Sequence, residues 1–252
     1  MAENPQSSGR QHEIEIELQA SPDEVWRSIT EADRIQEWFA PDVRVTPGLG
    51  GSIYVGWGPG MGGEAPIRIW EPGKRLGWVQ GEDTARQMVV TFEIIAGDKE
   101  GTSTLRLVQS GFGAGADFDA EYDSTFGGWH TFLAILRAGL GHFPGVRGTN
   151  VTVFRMSQHS QSEAWVRMQR ALAISSTEEG SHFQGTVGAL QIAGKVTRNP
   201  KPGYLCLALN DSVLGVFVEG TKEAMVTIEW IFYGPERTGV QEALDALVNE
   251  VG

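Results

Sequence analysis

Large apolar side chains at Phe118, Tyr122, Phe126, Trp129, Leu133, Leu136 and Leu140 follow one another at intervals of 4, 4, 3, 4, 3 and 4 residues. That period is close to 3.6, so the stretch predicts a long α-helix with one continuous apolar face. Asp117, Asp119, Glu121 and Asp123 gather at its N-terminal end, where the positive end of the helix dipole stabilises carboxylates. Inside the helix, Gly127-Gly128 forgoes about 1 kcal/mol per residue relative to alanine. Such a pair suits a place where another backbone approaches closely. A helical face this long and this aromatic needs a broad apolar surface to cover, and the segments upstream supply one.

His12–Leu18 alternates Ile14, Ile16 and Leu18 with Glu13, Glu15 and Glu17, the pattern of a half-buried strand. Ser21-Pro22-Asp23-Glu24 follows. Serine caps a helix, proline suits its first turn, and a glutamate three residues after the serine completes a capping box. The helix continues through Val25, Trp26 and Ile29, and a second short helix is expected through Ile35, Trp38 and Phe39, ended by Pro41. Strands are then predicted at 43–46, 52–57, 67–71, 75–80, 87–95 and 102–110, with Gly50-Gly51, Pro72-Gly73 and Gly97-Asp98 as turns between them. Connections this short favour a consecutive antiparallel sheet. Alternation gives it an inner face that includes Ile53, Val55, Trp57, Trp78, Val90, Phe92 and Leu107. The long helix is expected to close that face.

The pattern then begins again. After a turn-rich boundary at 144–148, a strand-like run at 151–156 leads into Ser160-Gln161-Ser162-Glu163-Ala164-Trp165. This echoes Ser21-Pro22-Asp23-Glu24-Val25-Trp26 at an offset of 139 residues. Strands are predicted at 182–187, 190–197, 204–210, 213–219 and 225–233, and a closing helix carries Val240, Leu244, Leu247, Val248 and Val251. The second half reads as a divergent, reduced internal repeat. It has no counterpart of the Trp38-Phe39 helix, and its final helix is shorter and aliphatic.

Composition narrows the classes of function. A chain of 252 residues with 40% hydrophobic residues and eight tryptophans builds real cores. The net charge of −12 argues against nucleic acid or an anionic membrane as the main partner. Residues 1–145 carry a net −10 and residues 146–252 a net −2, as two halves with different surfaces would. The single cysteine, Cys206, excludes an internal disulfide and lies in an apolar run, where a buried structural thiol is expected. A polar tail at 1–11 lacks the apolar core of a signal peptide. No run reaches the roughly 18 apolar residues of a membrane span. A cytoplasmic protein is the expectation.

The order strand, two helices, sheet, long helix resembles the helix-grip (Bet v 1-like, START-related) superfamily. Within it, the segment Ile14–Pro41, which contains IELQASPDEVWRSITEADRIQEWFAP, is similar to the homologues of the Hsp90 ATPase activator. The strand with its helix start, the Trp38-Phe39 pair, the 47–51 turn and Gly128-Trp129 in the final helix carry the likeness. The resemblance implies an α+β protein of two tandem helix-grip domains, at 12–145 and 146–252. Each would be a curved antiparallel sheet wrapped around a long C-terminal helix, with the second reduced. Relatives of this kind include hydrophobic-ligand carriers, polyketide cyclases, co-chaperones and stress-related proteins, so the fold leaves the function open.

A sheet wrapped on a helix encloses a cavity suited to a small molecule. The residues expected to line it are Trp38, Phe39, Trp57, Trp78, Phe92, Phe126, Trp129 and Leu133, with Tyr54, Tyr122 and His130 as polar handles. Solid aromatic packing is the alternative. His130 would serve as a base if a substrate were held there, but a histidine bonded at the helix border is the simpler expectation. Gly58-Pro59-Gly60-Met61-Gly62-Gly63 satisfies G-x-G-x-x-G after a strand. A strand rather than a helix follows it, so no nucleotide site is expected, and the loop is placed at the cavity mouth. Histidine spacing supports no metal site, and no cofactor or catalytic residue is assigned. The expected function is binding of a small hydrophobic or aromatic ligand in the first domain, with the second domain structural or mediating a homodimer. The alternatives are a co-chaperone role with a chaperone as partner, and a small cyclase or hydrolase using the same cavity.

Overall fold

The structure, a computed structural model, describes residues 10–81, 87–113, 115–235 and 237–252. Residues 1–9 of the expected tail lie outside them. Packing divides the chain into two compact units, one of residues 1–35 and 42–122 and one of residues 36–41 and 123–252.

The first unit is built from β1 (His12–Leu18), α1 (Pro22–Thr30), α2 (Ala32–Ile35), β2 (Asp42–Thr46), β3 (Ser52–Gly56), β4 (Gly62–Glu71), β5 (Arg75–Gln80), β6 (Met88–Ala96) and β7 (Ser103–Ser110). The strands form a seven-stranded sheet in the order β1-β7-β6-β5-β4-β3-β2. It is an antiparallel meander in which the first strand returns to pair with the last. In β1, Ile14 and Leu18 are buried and Ile16 is half-buried, while Glu13, Glu15 and Glu17 are exposed. Arg106 on β7 gathers Glu13, Glu15 and Glu93 at 2.8, 3.7 and 3.2 Å, neutralising carboxylates that would otherwise repel across neighbouring strands. Ile53, Val55, Ile67, Leu76, Trp78, Val90, Phe92, Leu105 and Leu107 are buried at 5% exposure or less. Each such side chain contributes on the order of 1.5–3 kcal/mol through burial. Helix α1 packs on β6 and β7, and α2 on β2.

Two local expectations need correction. Ser21 caps α1 by accepting from the Glu24 amide at 3.3 Å, but the reciprocal half of the capping box is absent. The Glu24 carboxylate is instead taken by Arg27 and Arg34, since two charged donors outcompete one backbone amide. The short helix through Trp38 and Phe39 also stops early, at Ile35, and residues 36–39 form turns.

The second unit contains most of α3 (Asp119–His142), together with β8 (Gly148–Met156), α4 (Gln161–Ala171), β9 (His182–Val187), β10 (Leu190–Arg198), β11 (Tyr204–Leu209), β12 (Ser212–Gly220), β13 (Ala224–Tyr233) and α5 (Val240–Val251). Its sheet has six strands in the order β8-β13-β12-β11-β10-β9. Again the first strand pairs with the last. The chain therefore consists of two tandem helix-grip domains, each an antiparallel sheet followed by a long helix, the second lacking one strand and one helix of the first. Here the capping box of α4 is complete, with Ser160 and Glu163 bonding each other's backbone amides.

One face of the second sheet is filled solidly. Leu205, Leu207, Leu214, Val216, Val226, Ile228 and Trp230 meet Ala164 and Met168 of α4 and Leu244, Leu247 and Val248 of α5. The opposite face is covered as well, which explains why every residue of β11 is buried and why β11–β13 read as continuous apolar runs. That cover is α3. A Cβ on Gly127 would lie 2.4 Å from the Tyr204 ring, the Ile135 side chain occupies the space above Gly215, and a Cβ on Gly139 would lie 2.2 Å from the Tyr233 hydroxyl. Phe132 meets Phe217 with ring centroids 4.7 Å apart.

Candidate functional site

The residues expected to line a ligand cavity fall in both units. In the first, Trp78 of β5 and Phe92 of β6 stand diagonally across adjacent strands, with ring centroids 5.5 Å apart and planes tilted by 39°. Both are almost fully buried, at 3% and 1% exposure. The register sets this pair: Leu76 lies opposite Phe92 and Trp78 opposite Val90, so all four side chains share the buried face. The Trp78 indole nitrogen is buried and has no hydrogen-bond partner among the described residues. An unpaired buried donor costs about 1–3 kcal/mol, and tryptophans in cores usually place that group on a partner.

Tyr54 alternates with buried Ile53 and Val55, which puts it on the other face of β3. There its ring carries the Arg44 guanidinium at 3.8 Å. Trp57 is half-buried at the start of the β3–β4 hairpin, where its amide donates to the Met61 carbonyl at 2.8 Å. The glycine-rich run around it is this hairpin turn, with Gly58 at φ 154° and Gly60 at φ 75°, and Gly56 pairs with Gly62 across it. Its amides serve the turn and β4, so they form no phosphate cradle at a helix start. Tyr122 belongs to a separate cluster. Its hydroxyl donates to the Gln11 carbonyl at 3.1 Å, and its ring lies 4.0 Å from His12, 5.0 Å from Phe112 and 4.7 Å from the Arg10 guanidinium.

In the second unit, Phe39 lies nearly parallel to Trp129 at 5.0 Å and edge-on to Phe132 at the same distance. Trp38 stacks on Phe39 at 5.3 Å. With Phe132 tilted against Phe217 and Phe217 edge-on to Tyr204, these rings make one continuous aromatic cluster. Leu133 is fully buried. This stacking accounts for the early end of α2, because residues 36–41 are held by side chains of the second unit. The Gln36 carbonyl accepts from Asn150 and Glu37 is paired with Arg147.

Phe126 meets His130 edge-on at 4.4 Å. His130 Nδ1 accepts from the Arg198 guanidinium at 3.0 Å, which requires that nitrogen to be unprotonated. Arg198 also donates to Glu179 at 3.0 Å. His130 is thus a bonded border histidine, not an unattached base.

Sequence reasoning missed a polar knot at the start of α3. Ser124 Oγ donates to Glu219 at 2.6 Å, and the Tyr204 hydroxyl donates to the same carboxylate oxygen at 2.8 Å. Burial, with the negative charge of Glu219 adding to it, holds the Tyr204 phenol above its ordinary range. The signal was present as a serine and an acidic residue in segments otherwise read for their apolar pattern. Among the described residues, no helix is long and apolar enough to cross a membrane.

Residues 19–141 match the model of the family described as Activator of Hsp90 ATPase homolog 1-like protein. No curated protein sequence matches the chain. Among solved structures, the Aha1 dimer from Colwellia psychrerythraea is 21% identical over 54% of this chain and 99% of its own, with a TM-score of 0.46. The di-domain ARO/CYC BexL from the BE-7585A biosynthetic pathway is 15% identical over 96% of this chain and 91% of its own, also at 0.46. DynU16, a putative protein in the dynemicin biosynthetic locus, is 19% identical over 96% and 92%, again at 0.46. The matched residues run from the end of β1 to the end of α3, so the family likeness covers the first of the two helix-grip domains and stops before the reduced second one.

Proposed function

We propose that the first domain, residues 12–145, binds a small hydrophobic or aromatic molecule that carries a hydrogen-bond acceptor. The observation behind this is the buried, unpartnered indole N–H of Trp78 beside Phe92 on the apolar face of the first sheet. A flat apolar body would continue the aromatic wall, and its acceptor would relieve a donor that the protein leaves unsatisfied. The second domain, residues 146–252, is structural in this account or forms a homodimer. Phe154 and Met156 on edge strand β8, 41% and 60% exposed, support the dimer.

The test is the indole 15N–1H spectrum of the protein as purified, and of the same sample after denaturation, solvent extraction and refolding. The Trp78 line is assigned by its loss in Trp78→Phe. A shift of that line on extraction accompanies removal of the ligand. An unmoved line while a bound molecule is removed would put the ligand elsewhere and reject this role for Trp78.

A second function has support in the family match over residues 19–141: contact with a chaperone of the Hsp90 type, as the family's description suggests. Stimulation of Hsp90 ATPase activity by the purified chain supports it. No stimulation and no co-sedimentation with the chaperone would remove it.

A further inference from the structure

An open groove of about 760 Å³ lies wholly within the second unit, between the C-terminal end of α3 and strands β9–β11. It is on the α3 side of the sheet, away from the solid core under α4 and α5. Lys195 lies opposite Ala208 in the β10–β11 register, and Ala208 belongs to the face that alternates with core residues Leu207 and Leu209. Phe143 forms a flat aromatic wall, held parallel to Tyr233 with centroids 4.3 Å apart and planes within 7°.

The polar groups around this wall are mostly cationic or basic. Arg137 reaches across from α3 and donates to the Thr197 carbonyl at 3.3 Å, which fixes the guanidinium, and it makes no ion pair among the described residues. Lys195 makes no ion pair among the described residues. His142 and His182 stand on the rim. The one carboxylate in the lining, Glu179, is already engaged by Arg198 at 3.0 Å and by the Asn199 amide at 3.2 Å. The C-terminal end of α3 contributes roughly half a negative charge, less than the two full cations. In a chain of net charge −12, this is a local positive site beside an aromatic surface.

The geometry points to a second binding site here, for an aromatic anion: a flat apolar body seated against Phe143 and Ala208, with its carboxylate, sulfonate or phosphate directed at Arg137 and Lys195. This site is independent of the first-domain ligand. The neutral part of the molecule supplies contact area, and the two cations supply selection for charge.

Two fluorescent probes that differ by one sulfonate group test it: 1-anilinonaphthalene-8-sulfonate, and its uncharged counterpart N-phenyl-1-naphthylamine. Each is titrated into the full chain, the Arg137→Ala/Lys195→Ala double variant, Lys195→Glu alone, and Lys99→Glu. The last makes the same change in net charge at an exposed turn of the first unit. The site predicts saturable binding of the sulfonate by the unaltered protein. The double variant and Lys195→Glu weaken that binding about tenfold, the effect of losing near-surface charge pairs. Lys99→Glu leaves it unchanged, and all the proteins bind the uncharged probe alike. Circular dichroism confirms the fold of each variant. Lys195 is exposed and unpaired, so its reversal keeps the test intact should the double variant unfold. The proposal is overturned by absence of saturable sulfonate binding, by equal sulfonate affinity in Lys195→Glu and the unaltered protein, or by parallel loss of both probes.

Discussion

Gly127 and Gly128 are neighbours in one helix, yet replacing each with alanine should move stability in opposite directions. Alanine gains about 1 kcal/mol of helix propensity at either position. At Gly128 the added methyl meets only Phe132 Cε2 at 3.7 Å, an ordinary contact, so Gly128→Ala should stabilise by about 0.5–1 kcal/mol. At Gly127 it would fall 2.4–2.5 Å from three atoms of the Tyr204 ring. That ring cannot swing away freely. It is 1% exposed, and its hydroxyl is tied to Glu219 at 2.8 Å and to the Ser124 carbonyl at 3.2 Å. Overpacking of this kind costs about 1–3 kcal/mol, and displacing the bond to a charged acceptor costs about 1.5–3 kcal/mol. After the propensity gain, Gly127→Ala should lose about 2–4 kcal/mol. Urea unfolding followed by circular dichroism measures both variants, and Gly127→Ala/Tyr204→Ala should recover at least about 1 kcal/mol relative to additivity, as contacting residues do. If Gly127→Ala is as stable as Gly128→Ala, the close approach of α3 to β11 is refuted.

Alkaline pH should destabilise the fold through two buried groups on this same face. Burial pushes the Cys206 thiol from 9.0 up to about 12, and burial with the Glu219 charge raises the Tyr204 phenol above 10.0. In both, the folded state holds its proton where the unfolded chain releases it. Their contribution is complete below about pH 9 and is lost as pH rises, at about 1.4 kcal/mol per pH unit for each group. Stability measured from pH 8 to 11 should fall, and Cys206→Ala and Tyr204→Phe should each flatten the slope; a pH-independent curve would contradict this. The same burial predicts that Cys206 ignores a thiol reagent until urea unfolds the second domain, with prompt labelling of the native protein as the opposing result. Ser160→Ala, which removes the cap of α4, should cost about 1 kcal/mol, and an unchanged urea midpoint would show that the cap contributes nothing.

Much of this architecture is legible in the chain because the periodic segments are long. The strands His12–Leu18, Arg75–Gln80 and His182–Val187 end where alternation and turn residues end them. The repeat is legible from the two capping serines 139 residues apart. Boundaries shift where a residue's partner is distant. Strand β4 begins at Gly62, five residues before the alternation starts, because Gly62, Gly63 and Pro66 are poor strand formers that the hairpin with β3 nevertheless pairs. Residues 36–39 leave the helix because Phe39 stacks on Trp129, ninety residues away in the chain. The spacing of its large apolar residues marks α3 in the sequence. Its second buried face, Gly127, Thr131, Ile135 and Gly139, is written in mostly small residues at intervals of four. Hydropathy passes over such a stripe, since it marks close approach more than hydrophobicity. At the candidate site, the sequence places the tryptophans on apolar faces, as cavity lining or as solid packing. That the indole nitrogens of Trp78 and Trp230 find no partner among the described residues depends on atoms brought together by folding, and no sequence pattern carries it.

Native mass spectrometry of gently purified protein, set against the same sample denatured, decides whether the first domain holds a small molecule. A ligand seated beside Trp78 gives a discrete added mass that is lost on denaturation and much reduced in Trp78→Phe. A native mass equal to that of the bare chain would contradict it.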